Sequence, residues 1–594
     1  MRRLKTSSFI AFVILVALAL SSLLAFAETD HHQIKLNQLG YLPSAAKVAI
    51  VADTSSNSVA SDGPDKFYII DLDTGKTAFT GTLSNSQRWP YSDELVRKAD
   101  FSALTEKGSY SVALQASDQP VNQREKNQAS SSFPFEISDT PFERVHQAAI
   151  KAFYYNRSGI AIDSVTGGSH ARAAGHGDTS VKVHKSAATN ARPEGTLISF
   201  PRGWYDAGDY GKYIVNSGIS TYTLLSAYRH YSDYYQSLNL NIVESGNNVP
   251  DLLDEIKWNL DWLETMQDLD GGVYHKLTAL GFSSMDDQPS EEDSQRYVIG
   301  KSVTAALNFA AVLANASTVM ADFEDQFPGV ADGYKNKAIK AYQWAKQNPD
   351  AYYHQPDDVS TGAYGDKNAS DEFAWAAAEL FIATGETHYY HEFLAQQVSP
   401  SQDLSWSSVS ALPYISLLSS EKSLLSDQHY TELSNKLLAT ADQHYVIYDT
   451  SAYGVSVSEA DFVWGSNSAV LNNGLVLIQA YRLSNDDKYL EAAMSTLDYV
   501  LGKNATGYSF VTGYGDKTPV NIHHRPSTAD NNDVPVPGFL VGGPHSGKQD
   551  KCSYLGRFAA TTYADTVCSY STNEVAINWN APLVYMLASA INLQ

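Results

Sequence analysis

Between His32 and Ser138 the apolar residues fall in short alternating runs: "KVAIVAD", then "KFYIIDLDTGKTAFTG" with Asp73-Thr74-Gly75 turning between two of them, then "SYSVAL" and "FPFEIS". Runs of that length, punctuated by Gly, Pro, Asp and Ser, predict short antiparallel strands and a small β-sandwich over 32–138. After "SDTPFERV" the period changes from two to three and four. Pro141, behind Asp139 or Thr140 as a cap, marks the first helical turn. Further on, "NNVPDLLDEIKWNLDWLETMQD" sets Leu253, Ile256, Leu260 and Leu263 on one helical face. Comparable stretches at 213–231, 301–317, 333–347, 371–384, 404–420, 427–443, 466–483, 487–501 and 574–592, with shorter ones, predict roughly a dozen helices over 141–594. Two long connections, 158–212 and 503–572, are rich in His, Asp, Tyr, Trp and Gly. Loops of such length in a compact domain are usually functional or disordered, and this composition favours function. The chain ends directly after its last helix, so no separate binding or anchoring module is expected there.

The first residues change the picture. Arg2, Arg3 and Lys5 precede an apolar run from Phe9 to Leu20 and an Ala25-Phe26-Ala27 site, which reads as a signal peptide over 1–27, cleaved near Ala27. The run is short for a membrane span, no later stretch is expected to make one, and no cysteine near the cleavage site offers a lipid anchor. The expected product is secreted or periplasmic, without a membrane anchor, and a monomer. With 42 Lys and Arg against 66 Asp and Glu, a net charge of −24, nucleic acid and acidic polysaccharides are poor partners and a neutral or cationic substrate is better accommodated. Cys552 and Cys568, sixteen apart, can close one loop in an oxidising compartment; the alternative is a pair of buried thiols.

Three loops carry candidate chemistry. In "GWYDAGDY" Gly208 permits a tight turn, and Asp206 and Asp209 can face one small volume, where two carboxylates could hold a water and one could take its proton. Taken alone, the segment reads more simply as an Asx turn. In "SFVTGYGDKTPVNIHHRPS", His523 and His524 on extended backbone point to opposite faces and so do not suit one metal ion. Arg525 offers a planar fork for sugar hydroxyls or a carboxylate. In "YADTVCSYSTNEVAINWNAP", Glu574 stands at the start of the final helix behind Ser571, Thr572 or Asn573, either as a first-turn acid favoured by the helix dipole or as an acid whose pKa is raised by its surroundings. No GxSxG elbow, P-loop or paired CxxC competes. The abundance of Tyr and Trp fits sugar stacking, although a helical core uses the same residues.

Together the three loops resemble the family 9 glycoside hydrolases, mostly cellulases. "GWYDAGDYGKY" is similar to the family's DAGD segment. Ser509 to Arg525 resembles its histidine motif, and Tyr563, Asp565, Tyr570, Glu574, Ala576 and Asn580-Ala581 match its C-terminal acidic motif. "ESGNNVPDLLDEIKW" and "DGGVYHK" add support, and "LNQLGYLPSAAKVAIV" resembles the immunoglobulin-like module of one subgroup. The resemblance implies an immunoglobulin-like sandwich followed by an all-α (α/α)6 barrel. It implies an endo-β-1,4-glucanase that cleaves a β-1,4-linked glucan or oligosaccharide with inversion and needs no cofactor for the chemistry. Inversion calls for an acid and a base about 6.5 to 9.5 Å apart. By motif, Asp209 would be the base, Asp206 would help hold the water and Glu574 would be the acid. His523 and Arg525 would bind the sugar beside the scissile bond, with Asp565 supporting that wall and Trp204, Tyr205 and Tyr570 as further substrate contacts. An exo-acting enzyme on cello-oligosaccharides or glucosamine chains, and a non-catalytic sugar-binding protein, are the alternatives.

The family's subgroup often carries a Cys/His zinc cluster before the DAGD loop. Here that region holds no cysteine and only His170, His176 and His184, which speaks against structural zinc. "YGDKNASDEFAW" resembles a calcium segment of relatives, with Asp366, Asp371 and Glu372 as hard oxygen ligands; the alternative is a capped helix start.

Overall fold

The computed structural model describes residues 33–52, 66–114 and 131–593. The leader over 1–27 lies outside them.

The alternating segments form two packed sheets. One runs in the order Ile34–Lys35, Val48–Ala52, Glu94–Asp100, Gln87–Trp89; the other in the order Gly40–Tyr41, Phe135–Ile137, Gly108–Ala113, Lys66–Asp71, Thr77–Thr82. Every pairing is antiparallel except that of Gly40–Tyr41 with Phe135–Ile137. Asp71 Oδ1 accepts from the amides of Asp73 and Thr74, which sets the turn between the Lys66–Asp71 and Thr77–Thr82 strands. Ile34, Val51, Phe67, Ile69, Val112 and Phe135 fill the space between the sheets. Trp89 faces the other way and packs on Tyr453 of the helical domain, ring centroids 4.1 Å apart. Asn37 Nδ2 also donates to Asp498 Oδ1 at 2.9 Å, so the sandwich is docked by both apolar and polar contacts.

The first helix begins at Glu143, with Phe142 before it and no side-chain cap. This corrects the expected Asp139 or Thr140 cap: Asp139 ion-pairs with Lys107 instead. Twelve helices of the described residues alternate between an outer and an inner ring. The outer ring is Glu143–Tyr155, Asp251–Thr265, Val330–Gln347, Thr387–Ala395, Asp427–Thr450 and Asp487–Val500; the inner ring is Ile214–His230, Val303–Met320, Ser370–Thr384, Leu412–Ser419, Ser466–Ser484 and Ile577–Asn592. Inner helices are buried nearly all round and need no polar face. Val303–Phe323 is long and apolar enough to cross a membrane, contrary to expectation, but 94% of that window is buried inside the protein. Outer helices such as Asp251–Thr265 bury one stripe, Ile256, Leu260 and Leu263 among it.

Two further differences concern the connections. The stretch read as helix over 404–420 is helical only at Leu412–Ser419, because Ser405 and Ser408 bridge and Pro413 opens the helix. Within and beyond 158–212, short strands form a five-stranded sheet in the order Leu197–Ile198, Val181–Val183, Tyr297–Lys301, Tyr274–Thr278, Lys212–Tyr213. Its strands are only two to five residues long and pair across large sequence distances, so no local period announces them.

Candidate active site

A cleft of about 670 Å³ opens where loops enter the inner helices. Asp206, Ala207, Asp209 and Tyr213 line it from before Ile214–His230, Gly362 to Tyr364 from before Ser370–Thr384, and Asp403 to Ser407 from before Leu412–Ser419. Ala460, Asp461 and Val463 to Gly465 come from before Ser466–Ser484, and Glu574 and Ala576 from before Ile577–Asn592. The cleft therefore faces helix N-termini, where the dipoles favour negative charge.

Gly208 is the junction of the three sequence motifs. Its N–H donates to Glu574 Oε1 at 3.3 Å, and its carbonyl accepts from Arg525 N–H at 3.2 Å and from Arg525 Nη1 at 2.6 Å. A Cβ at this position would stand 2.3 Å from the carbonyl oxygen of His523 and 3.1 Å from Glu574 Oε1, so only glycine lets the loops close on one another.

Asp209 keeps the Asx-turn bond to the amide two residues on, but Asp206 makes none of that kind. Asp206 Oδ1 accepts from Asn216 Nδ2 at 2.6 Å and Oδ2 from the Tyr364 hydroxyl at 2.7 Å, both distant from its own loop. Asp209 Oδ2 accepts from Gly211 N–H at 3.1 Å and from the Tyr213 hydroxyl at 3.0 Å. Burial, and then the charge of Asp209, push Asp206 up to about 8, so Asp206 holds its proton far beyond the usual carboxylate range.

Glu574 is not in the first turn of the final helix, which corrects that reading. The helix begins at Ile577 behind Ala576, and Glu574 lies on extended backbone bridged in parallel to His523. Half-buried and given a single hydrogen bond by Gly208, its carboxyl is raised well above the ordinary range by desolvation and then by Asp209 and Asp206. His523 Nδ1 donates to the Val567 carbonyl at 2.7 Å, and burial lowers its pKa, so it stands as a neutral imidazole. His524 turns away to Ser527 and Asn156.

Other expected residues stand elsewhere. Trp204 and Tyr205 are fully buried, with Trp204 Nε1 on Glu255 and the Tyr205 hydroxyl on His176 Nδ1 at 2.8 Å. They support the DAGD loop from beneath and do not line the cleft. Arg525 spends its fork on the carbonyls of Gly208 and Ser283, tying two loops together in place of lining the cleft. Asp565 accepts from the amides of Val520 and Asn521 and from Asn573 Nδ2, bracing the segment that carries His523. Tyr570 lies over Trp464, centroids 5.3 Å apart, and beside His523. The structure joins Cys552 to Cys568 in a disulfide that closes the loop just before Tyr570.

Sequence reasoning missed Tyr213, Asn216, Tyr364, Trp406 and Trp464. Asn216 sits one helical turn past Tyr213 in the same motif, a spacing that points both toward the aspartates. Trp464 is 42% exposed at the cleft edge; nothing local separates it from the core tryptophans.

His170 is held by Asp530, His176 by Tyr205 and Glu292, and His184 by Ser186 and Asp358. Near Tyr364, both carboxylate oxygens of buried Glu372 and Oδ2 of Asp366 lack a donor, while Asp371 Oδ2 accepts from Val409 N–H at 2.8 Å. Burial, then the charges of Asp371 and Asp366, raise Glu372 well above the ordinary range. Undonated, acceptor-only oxygens suit a hard cation in kind. Among the described residues, however, no three His, Cys, Asp or Glu side chains close on one point.

Residues 142–587 match Glycosyl hydrolase family 9, and residues 29–119 match the Cellulase N-terminal ig-like domain. The chain is 40% identical to a xyloglucan-specific endo-β-1,4-glucanase of Bacteroides ovatus over 97% of both chains. It is 31% identical to Endoglucanase D of Acetivibrio thermocellus over 95% of this chain and 85% of that one. A solved Bacteroides ovatus GH9 structure superposes with a TM-score of 0.85 at 39% identity, covering 95% of this chain and 99% of the other. This protein belongs to glycosyl hydrolase family 9, an endo-β-1,4-glucanase made of an immunoglobulin-like sandwich and an (α/α)6 barrel.

Proposed function

We propose that the enzyme hydrolyses the β-1,4-glucan backbone with inversion, Asp209 acting as general base and Glu574 as general acid. The observation that carries this is the Gly208 junction, which brings the Asp206–Asp209 pair and the raised carboxyl of Glu574 to one cleft. Asp209 takes a proton from a water that Asp206 helps to hold. The water oxygen bonds to the anomeric carbon as the glycosidic C–O bond breaks, and the proton of Glu574 passes to the leaving oxygen. A raised Glu574 holds its proton to higher pH than an ordinary carboxyl, and activity falls on the alkaline side as it ionises. Trp406, Trp464, Phe282 and Tyr364 give the sugar rings apolar faces to stack on.

The substrate we favour is a branched glucan of the xyloglucan type, on the strength of the Bacteroides ovatus relative. The leader pattern at 1–27 supports export to the periplasm or beyond, and the enzyme acts as a monomer. A calcium ion, if bound, would have to draw Asp366, Asp371 and Glu372 together behind Tyr364, since the three do not close on one point; it takes no part in the bond-making steps.

The test is hydrolysis of xyloglucan, carboxymethylcellulose, cellopentaose and a chitosan oligomer by wild type and Glu574→Gln, with products resolved by length and by anomer. Mid-chain cleavage of xyloglucan giving the α-anomer, lost in the variant, is expected. Release of single sugars from oligomer ends alone would replace this reading with an exo-acting one.

A further inference from the structure

We propose that Lys276 is a positioning residue of this reaction: its buried ammonium fixes Tyr213 and the 361–364 segment, and through them both aspartates. The proposal rests on the reading of Asp209 as the base. Lys276 lies on the strand Tyr274–Thr278, directly opposite Tyr213 in the antiparallel register, and is 0% exposed. Its Nζ donates to the carbonyl of Gly362 at 2.6 Å and meets Gln355 Oε1 at 3.1 Å, Thr361 Oγ1 at 3.2 Å and the Thr361 carbonyl at 3.3 Å. The Gln355 amide is oriented, since its Nε2 donates to the carbonyls of Val359 and Thr361. Three of the four partners are therefore oxygens that only accept, and satisfying three takes the three N–H bonds of an ammonium. All four are neutral, an unusual setting for a fully buried cation.

Both aspartates hang on what this ammonium holds. The Tyr213 ring lies 5.6 Å from Nζ, and its hydroxyl donates to Asp209 Oδ2. Tyr364, two residues beyond Gly362, packs on Tyr213 with centroids 4.8 Å apart and donates to Asp206 Oδ2. The charged and titratable groups facing Asp209 are Asp206 and Tyr213 on its own side, Lys276 from the sheet, and His523 and Glu574 from the opposite wall; Glu292 and Arg296 line a small void beside it. Of the other cations near it, Arg296 is paired with Asp178 at 2.7 Å, and Arg525 is spent on the carbonyls of Gly208 and Ser283. Among the described residues Lys276 has no carboxylate of its own, and the carboxylate whose charge it feels is Asp209. Burial draws Lys276 down to about 7, and the charge of Asp209 opposes that fall.

The experiment measures kcat and KM against pH on cellopentaose for wild type, Lys276→Met, Lys276→Arg and Asp209→Asn, with melting curves for each. The Met variant should lose about 10- to 100-fold in kcat with KM little changed, as expected for misplaced reacting groups. The acid limb of kcat/KM should move to higher pH, because the site loses a cation that faces its carboxylates. Lys276→Arg, charged at every accessible pH, should return the acid limb to its wild-type position. A folded Met variant with the wild-type acid limb overturns the proposal, as does a loss of rate that follows its melting temperature with no change in pH profile. If the Met variant does not fold, Lys276→Arg decides: a wild-type acid limb supports the role and a displaced one overturns it. Retained hydrolysis by Asp209→Asn would instead sink the assignment of the base, whatever Lys276 does.

Discussion

Buried carboxylates occur in two regions of this barrel, and they differ in how many donors meet them. Within the helical layers, Glu255 receives Arg157 and the Trp204 indole, and Glu379 receives Asn315, Trp375 and Ser416. At the cleft, Glu574 receives one amide, Gly208 N–H at 3.3 Å. Burial raises all three above their ordinary range. A raised pKa therefore does not distinguish a catalytic acid from a satisfied structural one; the difference is a proton left without a fixed partner beside an open volume.

The sharpest way to break this comparison is to make the same change in both regions. Glu574→Gln should lower kcat by about 10³-fold, within the usual contribution of a general acid, and leave the melting temperature near wild type. Glu379→Gln should keep kcat within about threefold and act on stability instead, because its partners lie inside the helix packing. Equal losses of rate from the two variants would show that donor count is the wrong criterion. Next in size, Arg157→Met should cost about 3 to 5 kcal/mol of stability, since it leaves Glu255 and Glu244 without their common cation. Urea unfolding of variant and wild type measures this, and a cost under about 1 kcal/mol would contradict the assigned role.

The same contrast explains what was legible in the sequence. The DAGD loop, the histidine segment and Glu574 could be found because their chemistry is written in contiguous residues with little slack. Most of the twelve helices were legible from their spacing, Thr387–Ala395 being the one no named stretch covered, and the sandwich from alternation. Glu574 was nevertheless placed on the wrong element: "STN" closes a separate short helix, Tyr570–Asn573, and Glu574 follows it on extended backbone paired with His523 before the final helix begins. Arg525 looked like a sugar ligand because its fork suits one, but sequence does not reveal that the carbonyls of Gly208 and Ser283 claim it first. Tyr364 was hidden for a related reason. It reaches Asp206 across 158 positions, and its neighbours advertise a cation site.

Asp206→Asn tests the cleft side more gently. Loss of the second water contact should lower kcat by about 10- to 100-fold. Stability should move the other way. The folded value of Asp206 is raised to about 8, so the folded chain holds a proton that the unfolded chain releases above its ordinary range. The wild-type contribution is whole in acid and is lost as pH climbs toward 8. Asparagine has no proton to lose, so the variant should gain about 1 to 2 kcal/mol at neutral pH, a gain that opens from about pH 4. Melting curves across that range check the sign, and a variant less stable at every pH would show that the Asn216 and Tyr364 bonds outweigh the burial.

The smallest expected effect concerns the carboxylates behind Tyr364. Glu372 combines both kinds of region: it is buried like Glu379 and has even fewer donors than Glu574, which receives only the Gly208 amide. A cation would resolve that combination, because it meets acceptor-only oxygens that no protein donor reaches. Millimolar calcium should then raise the melting temperature by a few degrees and a chelator should lower it, as for any ligand bound only by the folded state. Glu372→Gln should abolish the response while keeping most activity, since Glu372 touches neither aspartate. An unchanged melting temperature with either addition would mean that Glu372 is held neutral by its own proton, and the comparison would then lose its intermediate case.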